Sequence, residues 1–495
     1  MHDVNVVLMA GGSGERFWPY SRQEKPKQFL QVAGKGTLLQ QAVERAKLLC
    51  PVGGIYIVTG QRYLNLVKEQ VPEIAPMNLI VEPVGRDTAP CIALAATYLE
   101  AMGFHGVMVV LPSDHMVTDY TRFAHTLKTA IALAGEREAL VTIGIRPTRP
   151  ETGYGYIRIG DKELAKEIFK VADFTEKPDA KCAMAFLSSG KYLWNSGIFV
   201  WQLPVIKTAL EKYLPELMTA LAPICKAIGT PDFESILAEC FPALPRISID
   251  YGVMEKADNV WVVPGDFGWD DLGTWTALER VGERDENKNL VHGSAVMVDT
   301  ETSIVHNDNP NKMVVTFGLR DALVVDTEDV LLVADKNRAP ELKRLLDELR
   351  RQGLDRYLQR LAARGGQKLS NENIAGLEYL MRDHNVHKKP WGYEIWWAVN
   401  ERYAGKVLYI RSGEALSRQY HREKSETMLF LKGEGILELG EETISISPPM
   451  AVDIPAGTVH RIRACKDVVL IEVSTPELDD VVRLADNYGR LAGAR

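Results

Sequence analysis

The 495-residue sequence has few cysteines, no long hydrophobic run and no excess of positive charge. Its six cysteines form no CxxC pair, which disfavours a disulfide framework or zinc knuckle and suits a reducing compartment. No run approaches the roughly 18 apolar residues of a membrane span, and the N-terminal residues predict a strand rather than a signal peptide. A net charge of −8 disfavours a broad nucleic-acid surface. We therefore expect a cytoplasmic protein that binds neither nucleic acid nor membrane.

The chain is long enough for two or three domains. Up to about residue 280, short apolar strands alternate with helices, which predicts an α/β domain with a Rossmann-like mixed, mostly parallel sheet. Short β-branched runs at 289–333 predict a small all-β unit, and residues 340–361 predict one charged amphipathic helix. Short strands with Gly and Pro turns follow from about residue 385 and predict a β-barrel. The predicted boundaries are 1–285, 286–362, a linker at 363–384, and 385–495.

A glycine cluster follows the first predicted strand, in the segment LMAGGSGER at residues 8–16. Glycines let backbone N–H groups converge on phosphate, because no Cβ blocks the approach. No Gly-Lys-Ser/Thr triplet closes the loop, and no third glycine stands near Phe17, which disfavours Walker A and dinucleotide loops. Arg16 and Lys27 follow and can neutralise a triphosphate. The nucleotide-binding residues predicted in this loop are Leu8, Ala10, Gly11, Gly12 and Gly14.

The segment AGGSGERFWPYSRQEKPKQF closely resembles the signature of sugar-1-phosphate nucleotidyltransferases, specifically the mannose-1-phosphate guanylyltransferases. The resemblance covers about residues 4–350 and implies a GT-A-like domain followed by a β-helix-like segment. Further blocks follow in the family's order: EPVGRDTAP at 82–90, LPSDH at 111–115, PETGYGY at 150–156, FTEKP at 174–178, WNSG at 194–197, IDY at 249–251 and GWDDLG at 268–273.

Nucleotidyl transfer is an in-line displacement at the α-phosphorus, and a divalent cation usually stabilises the charge that develops. Asp114 follows an apolar strand, where the carboxyl ends of parallel strands bind ligands, and Mg²⁺ prefers carboxylates together with phosphates. Asp271 is the second predicted Mg²⁺ ligand. Asp270 stays an alternative, although similar sequences often have Ser at its position. Arg16, Lys27, Asp114 and Asp271 are the predicted catalytic residues.

The resemblance also implies the contacts to both substrates, GTP and mannose 1-phosphate. Lys177 is similar to the family's sugar-phosphate lysine, Glu176 and Asn195 can bond sugar hydroxyls, and the Gly155 backbone can approach the ring. The resemblance implies the formation of GDP-mannose and diphosphate, for polysaccharide biosynthesis.

Base recognition is predicted at the EPVGR block. Guanine offers two hydrogen-bond donors on its Watson–Crick edge, and the carboxylate of Glu82 can accept both. Gly85 and Arg86 stand nearby in the sequence and complete the predicted nucleotide-binding set. Glu15 is unusual, since similar loops often carry Thr, and we expect its carboxylate to face away from the phosphates.

A second constellation lies near the C-terminus: Gln419, His421, Glu426 and His460. Residues 419 and 421 alternate on a strand and share a face, and the set suits a divalent Zn, Mn, Fe, Co or Ni ion. The spacing resembles the cupin motif pair, with Gln in place of the first His. A guanylyltransferase fused to a cupin resembles the bifunctional type II mannose-6-phosphate isomerase/mannose-1-phosphate guanylyltransferases, which implies interconversion of mannose 6-phosphate and fructose 6-phosphate.

The chain departs from that family beside the predicted metal ligands. Lys424 replaces an Arg and Thr427 replaces a His, and a Lys can hold phosphate but lacks the planar fork of Arg. Three interpretations therefore stay open: an active isomerase, a non-catalytic sugar-binding, regulatory or oligomerisation module, and a nucleotide-sugar sensor made of the whole chain. A homodimer is expected as the commonest assembly.

Overall fold

The computed structural model describes residues 3–12, 14–165, 168–359, 385–400, 402–477 and 480–485. The chain divides into two compact units, residues 1–364 and 365–495. The linker predicted at 363–384 lies outside the described residues. Among the helices that are described, none combines the length and the apolar character that a membrane crossing requires.

The first unit is built on a nine-stranded sheet. Its strands are β1 (Val4–Ala10), β2 (Ile55–Gly60), β3 (Leu79–Glu82), β4 (Val107–Pro112), β6 (Leu140–Ile145), β7 (Tyr156–Ala165), β8 (Ile168–Thr175), β9 (Tyr192–Gln202) and β10 (Val260–Gly265), while β5 (Met116–Val117) pairs separately with β11 (Trp269–Asp270). The spatial order is β3-β2-β1-β4-β9-β6-β10-β8-β7. Strands β8 and β9 run opposite to the others, so the predicted mixed, mostly parallel sheet is confirmed.

Helices cover both faces of this sheet because its central strands are apolar on both sides. In β1, Val6 and Leu8 face one core cluster and Val7 faces the other. The helices of the sheet domain are α1 (Leu38–Ala46), α2 (Leu64–Gln70), α3 (Thr88–Ala101), α4 (Tyr120–Glu136), α5 (Ala180–Ser189), α6 (Leu203–Tyr213), α7 (Pro215–Ala227), α8 (Phe233–Cys240) and α9 (Leu278–Val281).

A small all-β segment follows, as the β-branched runs predict. Its strands are β12 (Leu290–His292), β13 (Ala295–Val298), β14 (Ile304–Asn307), β15 (Val314–Phe317), β16 (Ala322–Asp326) and β17 (Leu331–Asp335). Three of them, β12, β14 and β16, stack in parallel, and β13 pairs in parallel with β15, so successive turns of chain lie on one another.

The prediction of one helix at 340–361 is wrong. A 3₁₀ helix at Lys336–Glu341 leads into α10 (Leu342–Arg351), and α11 (Arg356–Gln359) follows separately. The break falls at Gly353, whose φ is 70°, where backbone N–H groups of residues 353 and 354 bond back to the carbonyls of Arg350 and Leu349. This is the usual glycine-terminated helix end.

The helices after the β segment pack against the loops that follow β1 and β11. Leu342, Leu346 and Leu358 share a core cluster with Phe17 and Trp275. This cluster holds the C-terminal part of the first unit over the glycine loop.

The second unit is an antiparallel barrel of two sheets, as predicted. Its strands are β18 (Asn385–Lys389), β19 (Gly392–Val399), β20 (Ala404–Ile410), β21 (Arg418–His421), β22 (Glu426–Lys432), β23 (Gly435–Leu439), β24 (Glu442–Ile446), β25 (Met450–Ile454), β26 (His460–Ala464), β27 (Val468–Ser474) and β28 (Val481–Ala485). The sheet orders are β18-β19-β20-β27-β22-β25 and β24-β23-β26-β21-β28. Leu408 and Phe430 from the first sheet meet Leu437 and Ile462 from the second in the core.

Candidate functional site

The glycine loop packs directly on the segment that carries Lys27. Gly14 has a φ of 55°, and a Cβ there would lie 2.5 Å from the backbone nitrogen of Lys27. The side-chain nitrogen of Gln28 lies 3.3 Å from the carbonyl oxygens of both Ala10 and Gly11. Only a residue without a side chain allows this close approach, which explains the glycine at position 14.

Lys27 connects the two predicted metal-binding residues. Its buried Nζ lies 2.9 Å from Oδ2 of Asp114 and 2.6 Å from the backbone carbonyl oxygen of Asp271. Asp114 follows β4 at the carboxyl edge of the sheet. Burial alone would raise the pKa of Asp114, but Lys27 and His115 hold it at about 2. Asp114 is therefore ionised at neutral pH.

The adjacent carboxylates Asp270 and Asp271 have different surroundings. Asp270 is buried and accepts hydrogen bonds from Arg280 at 2.5 and 2.8 Å. Asp271 accepts at Oδ1 from the backbone of Gly273 at 3.0 Å and from the hydroxyl of Tyr154. Because Arg280 already neutralises Asp270, this geometry favours Asp271 as the ligand.

All four predicted catalytic residues line one cavity of about 1000 Å³. The 3₁₀ helix and α10 also line it, through Pro340, Lys343 and Leu346. Three cations of this lining had no predicted role because nothing in the sequence places them near the loop. They are Arg149, Arg280 and Lys343.

The predicted sugar-phosphate residues also come together. The backbone nitrogen of Asn195 donates to the carbonyl of Gly155 at 2.8 Å, and Nζ of Lys177 lies 3.2 Å from Oε1 of Glu176. A Cβ at position 155 would overlap Oε2 of Glu176, so the glycine makes room for this carboxylate. That oxygen is buried and has no hydrogen-bond partner in the described part of the chain.

Asp250 belongs to this cluster, although its IDY block carried no predicted role. Its Oδ1 accepts from Nδ2 of Asn195 at 2.7 Å. Burial and the neighbouring charge of Glu176 raise the pKa of Asp250 to about 7. The sequence signal was an acidic residue inside a family block. Only the fold brings it to Asn195.

The predicted base-binding residues lie outside the lining of the large cavity. Glu82 ends β3 with a side chain that is only 5% exposed, and burial raises its pKa to about 7. Within the described residues, Oε1 of Glu82 and Nε of Arg86 are buried without hydrogen-bond partners. Unpaired buried polar atoms are costly, so both atoms can gain from a polar ligand.

The second unit brings together the predicted cupin ligands. One ligand atom from each of His421, Glu426 and His460 lies within 4.8 Å of the other two, and all three residues are buried. Nδ1 of His421 lies 3.1 Å from the carbonyl of Asp480, and Nδ1 of His460 lies 3.0 Å from that of Thr458. These contacts leave both Nε2 atoms to face Glu426, as metal-binding histidines are usually oriented.

Gln419 joins this cluster, with its side-chain nitrogen 3.5 Å from Nε2 of His460. Within the described residues, Nε2 of His421 is buried without a hydrogen bond. Burial, followed by the charge of Lys424, lowers the pKa of His421, which keeps the imidazole neutral. Two imidazoles, a carboxylate and an amide are a donor set that fits a divalent transition metal.

Lys424 is not free to hold a phosphate in this structure. Its buried Nζ lies 2.6 Å from Oε2 of Glu426 and 2.8 Å from Oε1 of Glu472. Burial alone would lower the pKa of Lys424, but the two carboxylates outweigh this effect. The pKa is raised overall, so the lysine is charged. Thr427, the second departure, is exposed and donates to Asp453 at 2.6 Å.

A glycine loop after the first strand, packed on a lysine that lies beside strand-end carboxylates, is the arrangement of a nucleotidyltransferase, and the same chain carries a cupin barrel. The chain is 34% identical to the mannose-1-phosphate guanylyltransferase of Escherichia coli K12, over 98% of each chain. It belongs to the family of the mannose-1-phosphate guanylyltransferases.

Family models match the whole architecture. The model for nucleotidyl transferases matches residues 5–288, that for the mannoseP isomerase/GMP-like β-helix domain matches 293–349, and that for the mannose-6-phosphate isomerase C-terminal region matches 378–486. The alginate biosynthesis protein AlgA of Pseudomonas aeruginosa is 32% identical over 98% of this chain and 97% of its own.

The xanthan biosynthesis protein XanB of Xanthomonas campestris is 33% identical over 99% of this chain and all of its own. A crystal structure described as mannose-1-phosphate geranyltransferase from Thermus thermophilus is 36% identical, with a TM-score of 0.63. The match covers 70% of this chain and 99% of that one. These relatives do not favour the interpretation of the whole chain as a sensor.

Proposed function

We propose that the first unit transfers GMP from GTP to α-D-mannose 1-phosphate, which gives GDP-mannose and diphosphate. A phosphate oxygen of the sugar phosphate attacks the α-phosphorus, and the bond from that phosphorus to the bridging oxygen breaks as diphosphate leaves. The single observation that carries this proposal is the cavity shared by Gly14, Arg16, Lys27, Asp114 and Asp271.

The cations and carboxylates of this cavity have complementary roles. Arg16 is exposed on the wall, where it can contact the triphosphate. The Lys27 ammonium already contacts Asp114 and Asp271, which supports a site for positive charge between them. Asp114 and Asp271 would bind Mg²⁺, which supplies charge neutralisation at the reacting phosphates.

The sugar phosphate is assigned to the cluster around Gly155. The exposed end of Lys177 can pair with its phosphate, and Glu176 and Asn195 can bond the sugar hydroxyls. Asp250 orients Asn195 through the 2.7 Å hydrogen bond. The relative from Escherichia coli K12 is named for mannose 1-phosphate, which supports this choice of sugar.

Guanine is assigned to Glu82, with Gly85 and Arg86 beside it. The ionised carboxylate accepts from both donors of the guanine edge. The test is Glu82→Gln, which offers one acceptor and one donor and should weaken the preference for GTP over ATP. An unchanged preference would exclude Glu82 from base recognition.

Diphosphate release from GTP and mannose 1-phosphate tests the transferase directly. The wild-type chain should release diphosphate only when both substrates and Mg²⁺ are present, and Asp271→Asn should abolish most of it. Glucose 1-phosphate in place of mannose 1-phosphate, and ATP in place of GTP, serve as non-cognate control substrates. If no diphosphate is released from the correct pair, the proposed function is wrong.

A second activity, isomerisation of mannose 6-phosphate to fructose 6-phosphate, is proposed for the cupin. The observation that favours it is the convergence of two buried imidazoles on Glu426. The bound metal would polarise the sugar carbonyl. The test is isomerisation with added Zn²⁺, Mn²⁺, Fe²⁺, Co²⁺ or Ni²⁺ and its loss in His421→Ala. Metal binding without isomerisation would instead assign a non-catalytic role to the cupin. The cytoplasmic location and the homodimer stay predictions, and sedimentation would test the latter.

A further inference from the structure

Tyr154 joins the sugar-phosphate segment to the second carboxylate of the transferase site. Its hydroxyl donates to Oδ1 of Asp271 and accepts from Nη2 of Arg149 at 3.2 Å. Arg149 is held in turn by Glu151 at 3.1 Å and lies over the ring of Trp194 at 4.9 Å. The tyrosine hydroxyl therefore has a fixed donor on one side and a fixed acceptor on the other.

The ring of Tyr154 is as closely held as its hydroxyl. It packs edge to face against Trp194 at 5.2 Å and Trp269 at 5.4 Å. Nε1 of Trp269 lies 3.2 Å from Nδ1 of His115, whose other nitrogen is 3.6 Å from Asp114. The same aromatic cluster thus touches both predicted metal-binding carboxylates.

The two oxygens of Asp271 are not equivalent. Oδ1 accepts from the Tyr154 hydroxyl and from the backbone nitrogen of Gly273 at 3.0 Å. Lys27 bonds the backbone carbonyl of Asp271 rather than its carboxylate. Two donors on Oδ1 fix the rotation of the carboxylate and leave Oδ2 for another ligand.

We propose that Tyr154 is a positioning residue for nucleotidyl transfer, which orients the Asp271 carboxylate so that Oδ2 is available to the divalent cation. This proposal rests on the proposed function of the cavity. Tyr154 does not contact the reacting atoms in this account, and it acts through Asp271. Partners of metal-binding carboxylates in other proteins typically change metal affinity 10- to 100-fold when they are removed.

Tyr154→Phe removes the hydroxyl and keeps the ring. Tyr156→Phe is the matched control, because its buried hydroxyl accepts from the backbone nitrogen of Glu151 at 3.0 Å in the same segment. Mn²⁺ binding to the full chain is measured with and without GTP. Subtracting the binding of Asp271→Asn isolates the transferase site, since the cupin is the same in every variant.

Tyr154→Phe should bind Mn²⁺ at this site about 10-fold more weakly, and Tyr156→Phe should bind it like the wild type. Half-maximal diphosphate release should need about 10-fold more Mg²⁺, while saturating Mg²⁺ restores the rate and the KM for mannose 1-phosphate is unchanged.

Three results would overturn the positioning role: unchanged Mn²⁺ binding in Tyr154→Phe, an equal loss in Tyr156→Phe, or no difference between Asp271→Asn and the wild type. If the wild type binds Mn²⁺ at Asp271 but releases no diphosphate, the proposed reaction fails. In that case the Mn²⁺ titration still tests whether Tyr154 positions Asp271, independently of the reaction.

Discussion

Nη2 of Arg350 lies 2.7 and 2.8 Å from the two carboxylate oxygens of Glu15 and joins α10 to the glycine loop. The side chain of Gln23 adds a third contact to Glu15 at 3.1 Å. This arrangement turns the carboxylate towards α10 and explains how an acidic residue is tolerated in a loop that is proposed to bind phosphates. The expected orientation in the presence of nucleotide stays a prediction.

Arg350→Ala should raise the KM for GTP about fivefold, because an unpaired carboxylate then stands beside the triphosphate and repels it. The expected effect corresponds to about 1 kcal/mol for a partly exposed ion pair. The double variant Glu15→Ala/Arg350→Ala should recover most of the affinity. Arg351→Ala is the control, since Arg351 pairs with Glu348 on its own helix. A double variant as weak as Arg350→Ala would contradict the repulsion.

Asp271→Asn should mainly reduce activity, whereas Asp270→Asn should mainly reduce stability. Asp271→Asn should lower kcat/KM by at least about 100-fold with little change in thermal stability, because it removes a proposed ligand of the Mg²⁺ that would neutralise the developing charge. Asp270→Asn should lower the free energy of unfolding by about 2 kcal/mol, because Arg280 loses its charged partner. Steady-state kinetics and thermal unfolding of both variants would separate the roles. Equal activity losses would contradict the assignment.

The affinity for GDP-mannose should rise with pH. Burial raises the pKa of Glu82 to about 7, and the donors of guanine favour the ionised form. The ionised fraction grows about tenfold from pH 6 to pH 8, so the Kd should fall by a similar factor. GDP-mannose is the better ligand for this titration because it lacks the terminal phosphate of GTP, which ionises in the same range. In Glu82→Gln this part of the dependence should vanish, and any dependence that remains belongs to Asp250 of the proposed sugar site, whose pKa is also about 7. A wild-type Kd that is flat across this range would argue against guanine contact.

The same carboxyl should affect the stability of the ligand-free chain. Its folded pKa lies above the ordinary value of 4.5, so the folded state binds more protons between about pH 4.5 and 7. The contribution to stability is therefore greatest below about pH 4.5 and declines until about pH 7. Glu82→Gln should remove this decline.

Gly14→Ala should destabilise the first unit, whereas Gly11→Ala should leave its stability unchanged. A side chain at position 14 faces a left-handed backbone cost of roughly 1–2 kcal/mol and overlaps Lys27. At position 11 a Cβ meets nothing within 4 Å. Thermal unfolding measures both variants. Gly11→Ala should still weaken the binding of GTP, because the added methyl group would stand where the loop is proposed to approach phosphate.

Zn²⁺ or Mn²⁺ should stabilise the second unit, because binding to the folded cluster around Glu426 shifts the unfolding equilibrium. At a free concentration 100-fold above Kd, the gain is about 2.7 kcal/mol. A chelator should reverse it, and His421→Ala should abolish it. His125→Ala, an exposed histidine of the first unit, is the control. A metal-induced shift that survives in His421→Ala would place the metal elsewhere.

Local signals predicted the elements of the site better than their contacts. The strand-then-glycine pattern predicted β1 and its loop, and apolar runs predicted the strand before Asp114. The contact between Tyr154 and Asp271 joins residues 117 positions apart, and that between Arg350 and Glu15 joins residues 335 apart. No pattern of spacing encodes such pairs. They arise when sheet edge, β segment and helix pack together.

The wrongly predicted helix at 340–361 shows a second limit of prediction from sequence. Its apolar spacing supported a continuous helix, and Gly353 was the visible signal against it. A glycine inside a helix costs only about 1 kcal/mol, so packing decides whether the helix continues or ends there. Here Leu358 of α11 enters the core cluster around Phe17, and the turn at Gly353 lets it do so.

The contacts between α11 and the loop after β1 also set the order in which this protein can mature. Nε1 of Trp18 donates to the carbonyl of Tyr357, a residue made 339 positions later, and the backbone of Gln23 donates to Leu358. A ribosome adds about 5–20 residues per second, so this interval lasts roughly 20–70 s. The earliest-made part of the proposed nucleotide site therefore completes its contacts only after the latest-made part of its own unit is synthesised. Nascent chains that stall before this point can fold their sheet and still lack the contacts that Tyr357 and Leu358 make to this loop.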